Sequence, residues 1–89
     1  MRAVITVIGK DRVGIIAGIS AILSDCNVNI LDISQTIMQD VFTMIMLVDI
    51  SAACASFTEL VEKLDEKGRE LGLSVKIQHE DIFNSMHRI

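Results

Sequence analysis

One short segment near the N-terminus combines charged, glycine and apolar residues in an order that could bind a small molecule. In "GKDRVGII", the acidic Asp11 and the basic Arg12 precede Gly14. We expect Asp11 to be the N-cap of a helix, with the free N–H groups of Val13, Gly14 and Ile15 at the positive end of the helix dipole. These amides could bind the carboxylate of a zwitterion, and Asp11 its ammonium group. The alternative is that Asp11 only caps the helix, because caps are far commoner than sites.

The same segment does not match the common phosphate-binding loops. A P-loop ends in Gly-Lys-Ser/Thr, whereas here Gly14 is followed by Ile15, and G-x-G-x-x-G spacing is absent. An acylphosphatase-like reaction would use Arg12 with an asparagine, but the broad glycine-bearing loop that would hold the phosphate is missing. No serine or cysteine motif is placed to use a histidine as its base. We therefore predict no catalytic activity, with the acylphosphatase reaction as the less favoured alternative.

The histidines and cysteines form no standard metal or redox motif. The sequence "HED" at His79, together with His87, could gather a metal ion, but the spacing matches no standard site. An amphipathic, solvated tail is the favoured interpretation of this segment. Cys26 and Cys54 lack C-x-x-C spacing, which favours two buried free thiols over a disulfide framework or a zinc site. We predict neither a metal nor a cofactor.

The composition of the chain limits the classes of partner that it can bind and the cellular compartment that we predict for it. The 89 residues are 51% hydrophobic, which is enough for one compact domain. A net charge of −4 opposes binding to a nucleic-acid backbone. Mean hydropathy is +0.49, but the longest uncharged stretch, Val13–Ser24, is shorter than the about 20 apolar residues that span a bilayer. No signal peptide follows Met1, so we predict a cytoplasmic protein that binds neither nucleic acid nor membrane.

Hydrophobic periodicity predicts the elements that must position the first loop. The run "AVITVI" is apolar on both faces, as a central strand is, and a helical stripe follows it from Ile15 to Leu23. Two β-type runs, "VNILDISQTIM" and "VFTMIMLVDI", are separated by a predicted hairpin turn at Gln39 and Asp40. The segment "SFTE" has capping-box spacing and opens a second helix that ends at Gly72. The last run, "LSVKIQH", alternates as an edge strand does.

The resulting β-α-β-β-α-β order is typical of an α+β, ferredoxin-like sandwich. We predict a four-stranded antiparallel sheet with strand order 4-1-3-2 and both helices on one face. Residues 1–80 would form this domain, and residues 81–89 would be an amphipathic tail that adds a short C-terminal helix. In that tail Asp81 could be the N-cap. The apolar stripe would consist of Ile82, Phe83, Met86 and Ile89.

Two predicted surfaces, an apolar sheet face and an uncharged helix, are not clearly buried by another predicted element. The sheet face away from the helices would carry apolar residues of "FTMIMLVDI", which either the tail or a second copy must cover. The first helix has no charge between Arg12 and Asp25. Its small residues allow either tight packing within the domain or contact with a partner. We therefore predict a homo-oligomer, most simply a dimer. The small residues of the helix are Gly14, Ala17, Gly18 and Ala21.

The element order, the turn "DRVGII" and the segment "NVNILD" before and into the second strand resemble the ACT domain over about residues 1 to 80. Within that family, the chain resembles free-standing bacterial ACT proteins that are similar to the glycine-cleavage transcriptional repressor group. ACT domains are regulatory modules that sense amino acids in metabolic enzymes and regulators. The resemblance implies a non-catalytic module that binds a small ligand, an amino acid, between the first loop and a neighbouring subunit. The alternative is a pure oligomerisation domain without a ligand.

The resemblance also implies site residues. Asp11 stands where the family has a ligand-holding Asn or Asp, Gly14 where it has a glycine before the helix, and Asn29 where an Asn opens the second strand. Many members have Pro at Val13, and the serine-sensing version has His at Gly9. We expect the β-α-β crossover to bring Asp11 and Asn29 to the same end of the sheet. The candidate ligand-binding residues are Asp11, Arg12, Val13, Gly14, Ile15 and Asn29.

Overall fold

The computed structural model describes residues 1–86, with residues 83, 85 and 86 by their backbone alone. The predicted element order and the short C-terminal helix are confirmed. No helix in this part of the chain is long and apolar enough to cross a membrane. The elements are β1 (Arg2–Lys10), α1 (Ile15–Asp25), β2 (Asn29–Met38), β3 (Val41–Asp49), α2 (Phe57–Leu71), β4 (Leu73–His79) and α3 (Glu80–Met86).

The C-terminal helix differs in one detail from the prediction. Because α3 begins at Glu80, Asp81 lies in its first turn and is not the N-cap. The predicted apolar stripe includes the side chains of Phe83 and Met86 and the whole of Ile89, which lie outside the described residues. The prediction for His87 also falls outside them.

The four strands form one antiparallel sheet in the order β2-β3-β1-β4, which is the predicted order read from the other edge. β1 pairs with both β3 and β4, and β3 pairs with β2 on its other side. The two central strands are therefore β1 and β3, and the two edge strands are β2 and β4. A register shift between Ile30 and Asp32 leaves Leu31 as an irregularity at the start of β2.

The core lies between one face of the sheet and the two long helices. Alternate side chains of β1 and β3 face the helices and are buried, as the pleat of a strand requires. The chain has no Trp or Tyr, so aliphatic and Met side chains, together with Phe42, fill most of this layer. The largest fully buried side chains are Ile5, Val7, Ile19, Leu23, Met44, Met46, Val48, Leu60 and Leu64.

Local signals set the ends of α2 as predicted. The Ser56 hydroxyl accepts a hydrogen bond from the Glu59 backbone N–H at 3.2 Å, and the Ser56 N–H donates to the Glu59 carboxylate at 3.3 Å. This reciprocal pair is a capping box. Gly72, at φ 74°, ends the helix in the left-handed conformation that glycine adopts without steric cost. These two signals fix where the chain enters β4.

The other face of the sheet is partly open. On it the side chains of Ile8, Val41 and Ile45 are 46%, 49% and 40% exposed, which agrees with the predicted apolar surface. At the opposite end of the same face, Arg2 forms an ion pair with Glu80 of α3, with 2.6 Å between Nε and Oε2. The exposed apolar residues therefore gather at the end of the sheet where β1 finishes.

Candidate functional site

The loop between β1 and α1 is attached to the domain on two sides. The backbone N–H of Asp11 donates to the carbonyl of Asp40 at 2.9 Å, which ties the loop to the hairpin between β2 and β3. Arg12 Nη1 donates to the carbonyl of Leu71 at 3.3 Å, at the last residue of α2. A cation at a helix C-terminus is favourable because carbonyl groups there lack partners. The Arg12 side chain therefore contributes to holding the loop in place.

The prediction that Asp11 caps α1 is wrong. The helix begins at Ile15, and its N-cap residue is Gly14, with φ 94°, ψ 0° and no side-chain cap bond. A capping side chain must belong to the residue directly before the first helical turn, and Asp11 precedes that position. Within residues 1–86, the Asp11 carboxylate has neither a hydrogen bond nor an ion pair. Its charge is therefore free to interact with something other than the helix.

A groove of about 280 Å³ lies beside this loop. One wall is the start of α1, and another is formed by the sheet near the end of β2. Because β2 is an edge strand, no further strand within residues 1–86 borders the groove on that side. The lining is mostly apolar, with one carboxylate, one guanidinium and one carboxamide. It consists of Asp11, Arg12, Gly14, Ile15, Ile16, Ala17, Gln35, Ile37 and Phe42.

The structure brings together most of the predicted loop residues but not all. Asp11, Arg12, Gly14 and Ile15 line the groove. Val13 does not line the groove, and its side chain is 97% exposed; the prediction for this residue concerned its backbone N–H. With Gly14 in the left-handed conformation, the chain turns at this point, so Val13 projects into solvent at the outside of the turn.

Asn29 lies at the other end of the sheet, so the expectation that it meets Asp11 is wrong within one chain. It pairs with Asp49, which pairs with Arg2 at the start of β1, whereas Asp11 follows the end of β1. The reason is that α1 runs back along the sheet, so β2 begins at the end where β1 begins. A strand as long as β1 separates the two residues by about 30 Å at about 3.3 Å per residue.

The charged groups near Asn29 are paired with one another. Hydrogen bonds from the hydroxyl and the backbone N–H of Ser51 lower the pKa of Asp49, so its carboxylate is charged at neutral pH. The α-amino group of Met1 lies 3.6 Å from that carboxylate and donates to the Ser51 hydroxyl. The Asp49 carboxylate and the Met1 ammonium group at this end of the sheet therefore already have partners.

Gln35, Ile37 and Phe42 are groove residues that the sequence reasoning missed. Gln35 and Ile37 are separated by one residue in β2, so both side chains face the helix side of the sheet. On that face Gln35 interrupts an apolar set formed with Ile33 and Ile37. The polar Gln35 between two apolar residues of the alternating β2 pattern is the sequence signal that could have located this wall of the groove.

The histidine and cysteine predictions have mixed outcomes. The ring of His79 stacks on Phe57, with ring centroids 4.2 Å apart and an interplanar angle of 16°. No group of three or more His, Cys, Asp and Glu side chains in the described part of the chain could hold a metal ion. Cys26 is buried as predicted, but Cys54 is exposed, because it lies in the loop between β3 and α2.

Replacing Gly14 with alanine is expected to lower the free energy of unfolding by about 1–2 kcal/mol, the cost of a left-handed conformation for a residue with a Cβ. Apart from Gly14 and its two chain neighbours, no described residue has an atom within 4 Å of the added Cβ, so crowding contributes nothing. Asparagine tolerates this conformation better, and Gly14→Asn should cost less. Urea unfolding of both variants measures whether Gly14→Ala is less stable than Gly14→Asn. Equal stability of Gly14→Ala and the wild type would contradict the φ of 94°.

Comparison with known proteins supports one family. A family model of the ACT domain matches residues 2–78. A UPF0237 protein of Clostridium acetobutylicum is 64% identical over the full length of both chains. A solved ACT domain protein from Streptococcus pneumoniae is 40% identical, covers 98% of each chain and has a TM-score of 0.81. The solved structure of a candidate glycine cleavage system transcriptional repressor is 26% identical over 86% of this chain and 44% of that one, with a TM-score of 0.71. The chain belongs to the ACT domain family and is similar along its whole length to free-standing UPF0237 proteins.

Proposed function

We propose that this protein is a non-catalytic regulatory module that binds an amino acid in the groove beside residues 11–15, at the boundary with a second copy of the chain. The observation that carries the proposal is the groove itself. It places an unpaired carboxylate and the start of a helix next to an apolar wall at the free edge of the sheet.

The chemistry of the groove suits a small zwitterion. The Asp11 carboxylate would accept hydrogen bonds from the ligand's ammonium group, since it has no partner within residues 1–86. The first N–H groups of α1 have no intrahelical acceptors and would donate to the ligand's carboxylate. Ile16 and Ile37, 41% and 55% exposed, offer an apolar surface to the ligand's side chain. Gln35 adds a group that both donates and accepts.

The free edge of β2 favours a homodimer. Nearly all of its ten residues are exposed, and it contains neither Lys nor Pro, which commonly protect edge strands. Ile33 and Ile37 are 41% and 55% exposed on the helix side of this edge. Pairing with a second β2 would satisfy the free backbone groups and bury these apolar side chains.

Pairing through β2 would also bring Asn29 to the groove from the other subunit. A two-fold axis perpendicular to the sheet makes the two β2 strands antiparallel, so the start of one strand lies near the end of the other. Asn29 of the partner subunit would then approach Met38 and the hairpin to which Asp11 is hydrogen-bonded. The ligand site would combine Asp11 of one subunit with Asn29 of the partner subunit.

The second candidate is an oligomerisation domain without a ligand. The exposed apolar side chains at the sheet edge and on the open face favour it, since pairing alone would bury them. Met38 and Val41 are 70% and 49% exposed on the open face at the same end of the sheet. The two candidates differ in whether a small molecule changes the stability of the folded dimer.

A thermal-shift screen against the common amino acids tests the proposal. A ligand that binds only the folded state at 100 times its Kd stabilises that state by about 2.7 kcal/mol and raises the Tm. Asp11→Asn and Asn29→Ala are each expected to abolish the shift while leaving the Tm without ligand near the wild-type value. Asp11 is a clean position for this test because its side chain does not cap α1.

A matched charge removal serves as the control. Asp65→Asn removes a carboxylate from the exposed side of α2, where it forms a 3.5 Å ion pair with Arg69, and should keep the ligand shift. If Asp11→Asn and Asn29→Ala both retain the shift, the ligand binds elsewhere. If the wild type responds to no amino acid, the oligomerisation domain is the better interpretation.

A further inference from the structure

Two cysteines from distant parts of the sequence lie side by side at the C-terminal end of α1. Cys26 is the C-cap residue of this helix, and Cys54 lies in the loop between β3 and α2. The backbone N–H of Cys54 donates to the carbonyl of Cys26 at 2.9 Å. The chain contains no other cysteine.

This hydrogen bond limits the distance between the two Cα atoms. With standard backbone bond lengths, an N···O distance of 2.9 Å keeps the Cα atoms within about 6.8 Å of each other. Disulfides join cysteines whose Cα atoms are about 4.4–6.8 Å apart. The two backbones therefore already lie within the range that a disulfide bond can span.

The hydrogen bonds around the two cysteines also favour a disulfide bond between them. Cys54 Sγ donates to the carbonyl of Asp25 at 3.5 Å, and this carbonyl belongs to the peptide bond that leads into Cys26. Asn27 Nδ2 donates to the carbonyl of Ala52 at 2.9 Å and so holds the loop at a second point. The thiol of Cys54 is thus directed at the end of α1, and the loop that carries it is anchored there.

The two thiols differ in their access to solvent. Cys26 is 3% exposed and packs in the core cluster, whereas Cys54 is exposed. A small oxidant in solution reaches Cys54 first, and the thiol of Cys26 is then the neighbouring group that can react with the oxidised sulfur. An accessible cysteine beside a second, resolving cysteine is the usual arrangement of a redox-sensitive pair.

We propose that Cys26 and Cys54 form a peroxide-sensitive site that closes to an intramolecular disulfide. The thiolate of Cys54 attacks one oxygen of hydrogen peroxide, the O–O bond breaks, and a sulfenic acid and one water form once the leaving hydroxide takes up a proton. The sulfur of Cys26 then attacks the Cys54 sulfur, the S–O bond breaks, and the leaving hydroxide takes the Cys26 proton as a second water. Two thiols are oxidised, and one peroxide is reduced to two waters.

The disulfide would connect the end of α1 to the loop before α2 and enclose β2 and β3 in a covalent loop. Such a link restricts the unfolded chain, so the oxidised protein is expected to unfold at a higher temperature than the reduced protein. A reductant would reverse the change. This site uses none of the groove residues, and its test is independent of ligand binding.

The test treats the wild-type protein with hydrogen peroxide, removes the excess and counts thiols after denaturation. We expect the titratable thiols to fall from two to none, the intact mass to fall by two hydrogen atoms, and dithiothreitol to restore both values. Trypsin cannot separate the cysteines, since no Lys or Arg lies between Val13 and Glu62. Cleavage at Asp32, Asp40 and Asp49 should yield a disulfide-linked pair of peptides from the oxidised protein.

Cys54→Ser serves as the matched variant. It should keep its one thiol under the same treatment, because the buried Cys26 is protected from the oxidant. Three outcomes with the wild type would overturn the proposal. These are two surviving thiols, a gain in mass from added oxygen without a disulfide, and a disulfide-linked dimer through Cys54 in which Cys26 remains titratable.

Discussion

Replacing Ile33 with lysine is expected to convert the proposed dimer into monomers. Ile33 lies near the middle of β2, where a two-fold axis would bring the residue close to its own copy in the partner subunit. The substitution removes two apolar side chains from the interface and places two like charges near each other. A loss of about 3 kcal/mol of association free energy raises the dissociation constant about 100-fold. Sedimentation velocity at micromolar concentration measures this change directly.

Ile45→Lys is a closely matched control. Ile45 is 40% exposed and Ile33 41%, so the same substitution removes a similar amount of buried surface from the folded subunit. Ile45 belongs to the central strand β3, which β2 separates from the free edge, and it lies on the open face, whereas Ile33 lies on the helix side. The Ile45 variant should remain dimeric. Dissociation of the Ile45 variant alone would place the interface on the open face, and a monomeric wild type would contradict the dimer.

The Ile33 variant also links assembly to ligand binding. If Asn29 of the partner subunit completes the site, the monomeric variant should lose the thermal response to an amino acid even though its own groove is intact. Ile33 does not line the groove, so a direct effect on the ligand is not expected. A full ligand response from a monomer would show that one subunit is sufficient.

The order of the elements could be predicted because each boundary carries a local signal. The capping box at Ser56, the left-handed glycine at Gly72 and the hairpin turn at Gln39 all act over a few residues, and all appear in the structure. The alternation of β4 identified it as an edge strand for the same reason. Hydrophobic spacing and turn chemistry are properties of neighbouring residues, so a single sequence contains them.

The site was harder to predict because long-range contacts determine its geometry. The position of Asp11 depends on a hydrogen bond to Asp40 and on the bond from Arg12 to Leu71, and neither contact has a local pattern. The helix begins at Ile15, after the N-cap residue Gly14, and not directly after Asp11. The prediction that Asn29 lies near Asp11 in one chain was wrong for a topological reason. A helix that returns along the sheet places the start of the next strand beside the start of the first strand.

The two helical glycines are expected to respond to alanine with opposite signs. In α2, a Cβ at Gly68 would lie 2.8 Å from Val75 Cγ2 and 2.9 Å from the carbonyl oxygen of Leu73, so helix and strand must move apart. In α1, a Cβ at Gly18 would meet Leu71 Cδ1 at 3.4 Å, which is ordinary contact. The two sites differ in the packing around the new methyl group, while the backbone conformation and the substitution are the same.

The magnitudes follow from two opposing contributions. Alanine in place of glycine favours a helix by about 1 kcal/mol, because glycine loses more conformational freedom on folding. Overpacking at a tight helix–strand contact costs about 1–3 kcal/mol, and the backbone carbonyl of Leu73 cannot rotate away as a side chain could. Because that carbonyl cannot move aside, the overpacking cost lies in the upper part of this range, about 2–3 kcal/mol, so Gly68→Ala should lower the free energy of unfolding by about 1–2 kcal/mol. Gly18→Ala should raise it by up to about 1 kcal/mol.

Thermal and urea unfolding of the two variants measure the difference. A change of 1 kcal/mol moves the Tm of a domain of this size by about 4–8 °C, so a difference of about 2 kcal/mol between the two variants would separate their Tm values by about 8–16 °C. A stabilised Gly68→Ala would mean that α2 and β4 are less closely packed than the 2.8 Å approach indicates. A destabilised Gly18→Ala would show that the small surface of α1 is packed against a partner, since its own subunit leaves room for the methyl group.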